Sequence, residues 1–203
     1  MPKWDQLADE QTIQQTIAAL KLSGIDAEVV EGGEDAKKRV LQMLPKGAEV
    51  MNMSSVTLEK LGLDREINES RNYDAVKPKL MALKRDTDAL EMQKLGAAPE
   101  WAVGSVHAVT QDGKVFIASN TGSQLPAYAY ASAHVIWVVG AQKIVKDQKE
   151  AIARIYDYVF PLEDKHMLDL YNIHSNVSKL LIISKERVPG RLIMIIVKQK
   201  LGF

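Results

Sequence analysis

Short apolar runs alternate with amphipathic helical patterns through the first third of the chain. Residues 25–30 and 49–53 have the length and apolar content of strands, and a pattern with helical spacing precedes and follows each of them. Glycine or proline marks the junctions between these segments. This β-α-β-α order is typical of parallel strands joined by helical crossovers, so it predicts an α/β fold.

The second half of the chain contains a hairpin signal. Strand-like runs at residues 101–110 and 115–119 are joined across Asp112-Gly113, and Asp-Gly favours a tight turn in which both central residues have positive φ. Residues 134–140 form an apolar run that is typical of a buried central strand. The predicted fold is therefore an open, mostly parallel sheet flanked by helices, with an antiparallel hairpin.

A helix with its own start signal follows the central strand. Asp147 and Glu150 have the spacing of a capping box, and the helix that they open is predicted to end at Pro161. A separate helix is predicted at residues 163–171. Because the sequence contains no internal repeat and no low-complexity linker, we expect one domain over residues 1–203.

Composition excludes several classes of function. The 26 basic and 26 acidic residues give a net charge of 0, without the basic excess typical of proteins that bind nucleic acid or anionic membranes. Zero cysteines exclude disulfides, thiolate zinc sites and iron–sulfur clusters held by this chain, and fit a reducing cytoplasm. The apolar run at residues 127–140 is shorter than the roughly 20 residues that span a bilayer, and the polar start lacks a signal-peptide pattern. We therefore expect a soluble, cytoplasmic protein.

Motifs for common cofactors are absent. The sequence contains no G-x-G-x-x-G, Walker P-loop or G-x-S-x-G pattern, so a dinucleotide site, a phosphate-binding loop and a serine nucleophile elbow are unsupported. No pair of histidines has metal-ligand spacing. His107 and His134 lie in strand-like runs, where a hydrogen-bonded structural role is the favoured interpretation. We predict neither a cofactor nor a metal site.

The polar segment after the second predicted strand is a candidate for ligand binding. Ligands of open parallel sheets usually bind beyond the carboxyl ends of the strands. Ser54, Ser55 and Thr57 follow such a strand and open a helix, where backbone N–H groups attract anions. Ordinary N-capping is the alternative explanation for the same residues.

Two further segments complete the predicted anion-binding set. Thr121, Gly122 and Ser123 follow the second strand of the hairpin, and Gly122 lets the backbone turn sharply, so they form either an anion nest or an ordinary connection. Gly104-Ser105 marks either a bulge or a close approach of the backbone to a ligand.

A polar junction late in the chain is the candidate for acid–base chemistry. His174 lies between a predicted helix and a predicted strand, with Lys179 close behind, and such loops often carry functional side chains. Turn formation by the neighbouring Asn172 and Ser175 is the alternative. His174 and Lys179 are therefore the candidate catalytic residues.

Several stretches together resemble the LUD (lactate-utilisation) domain family. They are residues 51–63, 101–110 and 119–125, Tyr171-x-x-His174-Ser175 with Lys179, and residues 189–203. As a set these stretches are more specific than any one of them alone. The resemblance implies a fold similar to the sugar-phosphate isomerase and CoA-transferase superfamily, which agrees with the β-α-β-α order.

The resemblance also implies a link to bacterial oxidation of L-lactate to pyruvate, in which a related small subunit acts beside iron–sulfur partners. On this interpretation the chain binds a small anionic metabolite and works as an accessory component with an iron–sulfur oxidoreductase. The alternative is an isomerase or transferase for a sugar-phosphate or CoA-linked substrate, with His174 or Lys179 as acid or base. A third interpretation is a structural subunit, and the apolar residues 127–139 serve either a homo-oligomer contact or the core.

Overall fold

A parallel sheet forms the centre of the structure, a computed structural model that describes residues 3–203. In chain order the strands are β1 (Asp26–Val30), β2 (Glu49–Asn52), β3 (Asp74–Ala75), β4 (Trp101–Gly104), β5 (Ala108–Thr110), β6 (Val115–Ser119), β7 (His134–Gly140), β8 (Ile144–Val145), β9 (Lys179–Ile183) and β10 (Leu192–Val197). The larger sheet has the order β1-β10-β7-β4-β2-β3, and every pair in it is parallel. This sheet confirms the predicted mostly parallel α/β fold.

Helices cover both faces of the larger sheet. They are α1 (Glu10–Leu22), α2 (Gly33–Met43), α3 (Val56–Leu61), α4 (Leu63–Glu69), α5 (Val76–Ala82), α6 (Ala89–Ala97), α7 (Gln148–Arg154) and α8 (Phe160–Tyr171). Asp9 caps α1, because its carboxylate accepts a hydrogen bond from the Thr12 N–H at 2.7 Å. The helix buries Ile13, Ile17 and Leu20. α2, α3 and α4 pack their apolar side chains into a second cluster.

β7 lies in the interior of the larger sheet, and both of its faces are apolar. It lies between β10 and β4. Its buried side chains alternate between the two clusters, with Val135, Trp137 and Val139 on the α1 side and Ile136 and Val138 on the side of α2 to α4. The predicted buried strand is confirmed, and its carboxyl end lies in the middle of the sheet edge.

A second, mixed sheet has the strand order β8-β5-β6-β9. β5 and β6 pair antiparallel, which confirms the predicted hairpin. The predicted single strand at residues 101–110 is wrong in one respect, since the chain leaves the larger sheet after β4 and enters the smaller one at β5. Residues 105–107 therefore form the crossing between the two sheets.

The hairpin turn differs from the tight two-residue turn that Asp112-Gly113 predicts. Asp112 does not adopt positive φ, whereas Gly113 has φ of +84°. The Gly113 N–H donates to the Thr110 carbonyl, and the Thr110 N–H donates to the Lys114 carbonyl. These bonds enclose three loop residues that end in a left-handed glycine, the usual geometry of a three-residue hairpin loop.

The helical segment after β8 is longer than predicted. Asp147 caps α7 by accepting from the Glu150 N–H at 2.9 Å, and the Glu150 carboxylate accepts from the Lys146 N–H at 2.8 Å. The chain then continues through a π-helical turn (Ile155–Val159) into α8 without stopping at Pro161. Pro161 lies directly after the π-helical turn, at the second residue of α8.

A buried arginine joins the start of β10 to the π-helical turn Ala127–Ala131. The Arg191 guanidinium donates to the carbonyls of Tyr128 at 2.8 Å and Ser132 at 3.1 Å, and its Nε donates to Glu186 at 2.7 Å. The side chains of Arg191 and Glu186 are 7% and 11% exposed. The Arg191 guanidinium therefore satisfies carbonyl groups that would otherwise be buried without donors.

We expect Arg191→Met to lower the free energy of unfolding by about 3–5 kcal/mol, because it leaves Glu186 Oε2 and several carbonyls buried without the donor that they have in wild type. Urea unfolding of the purified protein measures this loss. Arg187→Met is the matched control, since Arg187 is exposed, and it is expected to change stability by less than about 0.5 kcal/mol. Equal effects of the two variants would contradict the assigned role.

Candidate ligand site at the carboxyl edge of the parallel sheet

The carboxyl ends of β4 and β7 bring a buried lysine against two hydroxyl groups. A 3₁₀ turn (Ala141–Lys143) follows β7 and places Lys143, which is 4% exposed, at the sheet edge. Its Nζ lies 3.1 Å from Ser105 Oγ, 3.2 Å from Thr57 Oγ1 and 3.1 Å from the Val106 carbonyl oxygen. The start of α3, the crossing after β4 and the 3₁₀ turn after β7 therefore meet at this amine.

All three partners of Lys143 are uncharged acceptors. The Ser105 hydroxyl donates its proton to the Val138 carbonyl at 2.7 Å, and the Thr57 hydroxyl donates to the Leu201 carbonyl at 3.2 Å. Both hydroxyl oxygens therefore accept from Nζ, and the three N–H groups of an ammonium are all matched. Burial, together with the charges of Arg154 and Lys60, lowers the pKa of Lys143 well below its usual value. Within residues 3–203 the amine has no carboxylate partner, which is the partner that buried cations normally have.

A second buried cation contacts the crossing between the two sheets. Arg154, in α7, is 0% exposed and donates through Nη1 to the His107 carbonyl. Its Nε and Nη2 have no hydrogen-bond partner within residues 3–203, and its guanidinium lies 5.4 Å from the centre of the Tyr158 ring. Burial lowers the pKa of Arg154 to about 10. Lys143 and Arg154 thus hold consecutive carbonyls of the crossing between the sheets.

His107 is a structural histidine, as its position in a strand-like run suggests. Its Nδ1 accepts a hydrogen bond from the Ala118 N–H at 3.1 Å, which links the crossing to β6. Burial, with the neighbouring charges of Lys143 and Arg154, lowers the pKa of His107 to about 3. The imidazole is therefore neutral at physiological pH.

The structure joins two of the predicted anion-binding residues, Thr57 and Ser105, through Lys143. Ser54 and Ser55 precede α3, where the Ser55 side chain makes no capping hydrogen bond and Ser54 Oγ lies 3.5 Å from Lys77 Nζ. Because α3 has 6 residues, its dipole is short, and the Thr57 hydroxyl rather than the helix end faces Lys143.

The close backbone approach at Gly104 is to Tyr128. A Cβ at Gly104 would lie 1.8 Å from the Tyr128 hydroxyl oxygen, so only glycine fits between β4 and the π-helical turn Ala127–Ala131. The turn of Thr121, Gly122 and Ser123 uses its polar groups internally. The Gly122 N–H donates to Ser119 Oγ at 2.8 Å, and the Ser123 N–H donates to Thr121 Oγ1 at 3.3 Å.

The two candidate catalytic residues occupy different surroundings. His174 is 76% exposed and its Nδ1 lies 3.1 Å from Asp164, whose carboxylate also accepts from the Ser175 N–H at 2.7 Å. Lys179 opens β9 opposite Ser119 and lies against Gly122. This geometry makes His174 part of a hydrogen-bonded turn at the end of α8, which fits the turn-forming alternative.

Lys143, Arg154 and Gln142 are absent from the predicted set. Gln142 is 1% exposed, and its amide bonds both the N–H and the carbonyl of Leu201. The available signal was a lysine three residues after the central strand, because the carboxyl end of that strand is the usual ligand position. Arg154 carries a weaker signal, since it lies on the same helical face as the apolar Ala151 and Ile155.

The match to known families decides the identity. A family model described as the LUD domain matches residues 13–197. The chain belongs to the LUD domain family. This confirms the resemblance found in the sequence, and the family name implies a function related to lactate utilisation.

A solved structure supports the same fold. The LUD domain described here is similar to the crystal structure of a DUF162 family protein from Deinococcus radiodurans, with a TM-score of 0.59 and 12% sequence identity over 95% of this chain and 99% of that chain. At this identity the likeness concerns the fold alone. No curated protein matches the chain. Within residues 3–203, no helix is both long enough and apolar enough to cross a membrane.

We expect His107→Gln to flatten the dependence of stability on pH. Because the unfolded chain protonates His107 near pH 6.5 and the folded chain only near pH 3, wild-type stability is fully present above pH 6.5 and falls as the pH decreases between these values. The slope for one such proton is at most about 1.4 kcal/mol per pH unit.

Urea unfolding at pH 7, 6 and 5 measures the effect of this proton. The loss of unfolding free energy between pH 7 and pH 5 should be smaller in His107→Gln than in wild type. Parallel curves for wild type and His107→Gln would show that His107 titrates normally in the folded state.

Proposed function

We propose that this LUD domain binds a small carboxylate metabolite at the carboxyl edge of the parallel sheet, beside Lys143, as an accessory component of L-lactate oxidation to pyruvate. The observation that carries the proposal is the buried Lys143 amine, which contacts Thr57 and Ser105 and has no carboxylate partner within residues 3–203. L-lactate and pyruvate are the carboxylates that the family name suggests.

The electrostatics of the site favour an anion. Removing an ammonium from water carries a penalty of several kcal/mol, and neutral oxygen acceptors offset only part of it. Burial accordingly lowers the pKa of Lys143. A carboxylate near Nζ would favour the protonated amine, and a hydroxyl such as that of Thr57 would donate to the carboxylate. Arg154 adds a second positive charge close enough to lower the pKa of Lys143.

The redox step of such a pathway would lie on a partner. Oxidation of L-lactate to pyruvate removes two electrons and two protons from the substrate, and the chain has zero cysteines with which to hold an iron–sulfur cluster. An iron–sulfur oxidoreductase therefore supplies the electron acceptor in this proposal, while the LUD domain binds the organic acid.

Isothermal titration calorimetry with L-lactate, pyruvate, a sugar phosphate and a CoA ester tests this proposal. We expect L-lactate or pyruvate to bind wild type and to raise its melting temperature, since a ligand that binds only the folded state stabilises it. Lys143→Met should weaken that binding by more than about tenfold, because it removes a buried charge of the site.

Lys179→Met is the control for this experiment, because Lys179 is exposed and belongs to the other sheet. It should bind the carboxylates as wild type does. Binding confined to the sugar phosphate or the CoA ester would favour the alternative of an isomerase or transferase. Carboxylate binding that is unaffected by Lys143→Met would remove the site proposed here.

A further inference from the structure

The chain crosses its own candidate site after β10. Residues 199–203, here called the strap, run along the carboxyl edge of the larger sheet. Gln199 Oε1 accepts from the Gly33 N–H at 3.0 Å, and Lys200 Nζ pairs with Asp5 Oδ1 at 2.6 Å. The strap is thus tied to the start of α2 and to the segment that precedes α1.

Leu201 fills the centre of the strap. Its side chain is 2% exposed and belongs to the apolar cluster of α2 to α4. Its carbonyl oxygen accepts from Gln142 Nε2 at 2.9 Å and from Thr57 Oγ1 at 3.2 Å. One neutral oxygen of the chain therefore takes up two donors of the candidate site.

Two glycines let the strap approach this closely. A Cβ at Gly140, the last residue of β7, would lie 2.7 Å from the Gln199 carbonyl oxygen. Gly202 has φ of +66°, and a Cβ there would lie 2.5 Å from Thr57 Oγ1 and 3.4 Å from Lys143 Nζ. Larger residues would separate the strap from the lysine, so the sequence allows close contact at both positions.

We propose that the strap is a displaceable occupant of the ligand site, and that the Leu201 carbonyl marks the subsite for one carboxylate oxygen. This inference rests on the proposed function. Gln142 Nε2 and the Thr57 hydroxyl donate to Leu201 in the closed state and to the carboxylate in the bound state. Gly202 leaves the neighbourhood of Lys143 as the ligand enters.

Charge gives the ligand its advantage over the strap. A carbonyl oxygen accepts the same hydrogen bonds as a carboxylate but carries no net charge to offset Lys143. The closed strap still competes, so the apparent dissociation constant is the intrinsic one divided by the fraction of molecules with an open site. Substitutions that loosen the strap should therefore tighten binding of the ligand.

Lys200→Gln loosens the strap with the least disturbance of the site, because the Lys200 side chain is 45% exposed and does not contact Gln142 or Thr57 through any hydrogen bond described above. Removing its ion pair with Asp5 should lower the dissociation constant for L-lactate about two- to fivefold. Leu201→Ala should lower it by more than about tenfold, because it removes the buried anchor of the strap. Leu44→Ala is the matched control, since Leu44 is buried in the same cluster but outside the strap, and it should leave the dissociation constant unchanged.

Calorimetry with L-lactate and with inorganic phosphate separates the outcomes. If wild type binds L-lactate and both strap variants bind it equally or more weakly, the displaceable strap is overturned while the proposed function stands. If neither wild type nor any strap variant binds L-lactate or phosphate, the proposed function is overturned, and the strap inference with it. If the variants gain affinity for phosphate alone, the assignment of the subsite to a carboxylate is overturned.

Hydrogen exchange of the strap gives an independent readout. The Leu201 N–H is bonded to Gln142 Oε1 in the closed state, so saturating L-lactate should speed its exchange in wild type. Slower exchange would mean that the strap closes over the ligand instead of leaving, which would overturn displacement.

Discussion

The buried amine of Lys143 connects parts of the chain that are far apart in sequence. It bonds Thr57 at the start of α3, Ser105 at the end of β4 and the Val106 carbonyl beyond it. Because its three partners are neutral oxygens, the contact fixes geometry without cancelling charge. The carboxyl edge of the sheet is therefore held in shape by a group that also favours an anion.

The passage between the two sheets depends on the same region. The chain leaves the larger sheet at Gly104, which Tyr128 approaches too closely for any side chain, and enters the smaller sheet at Ala108. Lys143 and Arg154 donate to the two carbonyls in between, and His107 binds the backbone of β6. Lys143, Arg154 and His107 are buried at this crossing, and burial lowers the pKa of each of them.

In the proposed mechanism the strap and a carboxylate ligand compete for the same hydrogen-bond donors. The Thr57 hydroxyl and the Gln142 amide would be buried without acceptors if nothing lay against them, and the Leu201 carbonyl accepts from both when no ligand is bound. A ligand that brings both the oxygen and the missing charge has an advantage over the chain. Binding and release of the strap are then two sides of one equilibrium.

Much of the fold follows from local patterns in the sequence. The apolar run of β7, the helical spacing of Ile13, Ile17 and Leu20, and the hairpin at Gly113 depend on neighbours within a few residues, and each was predicted correctly in type. The errors fell where distant contacts decide. The division of residues 101–110 between two sheets and the passage of the helix through Pro161 depend on packing that no local pattern records.

The candidate site divides in the same way. The sequence alone determined a cysteine-free chain of zero net charge with hydroxyl residues after its strands, among which Thr57 and Ser105 were predicted to bind an anion. Only the tertiary structure decided that Lys143 lies between them and that the Leu201 carbonyl accepts hydrogen bonds from Thr57 and Gln142. The reason is physical, since a lysine resembles any surface residue in sequence, and its charge becomes significant only when folding removes it from water.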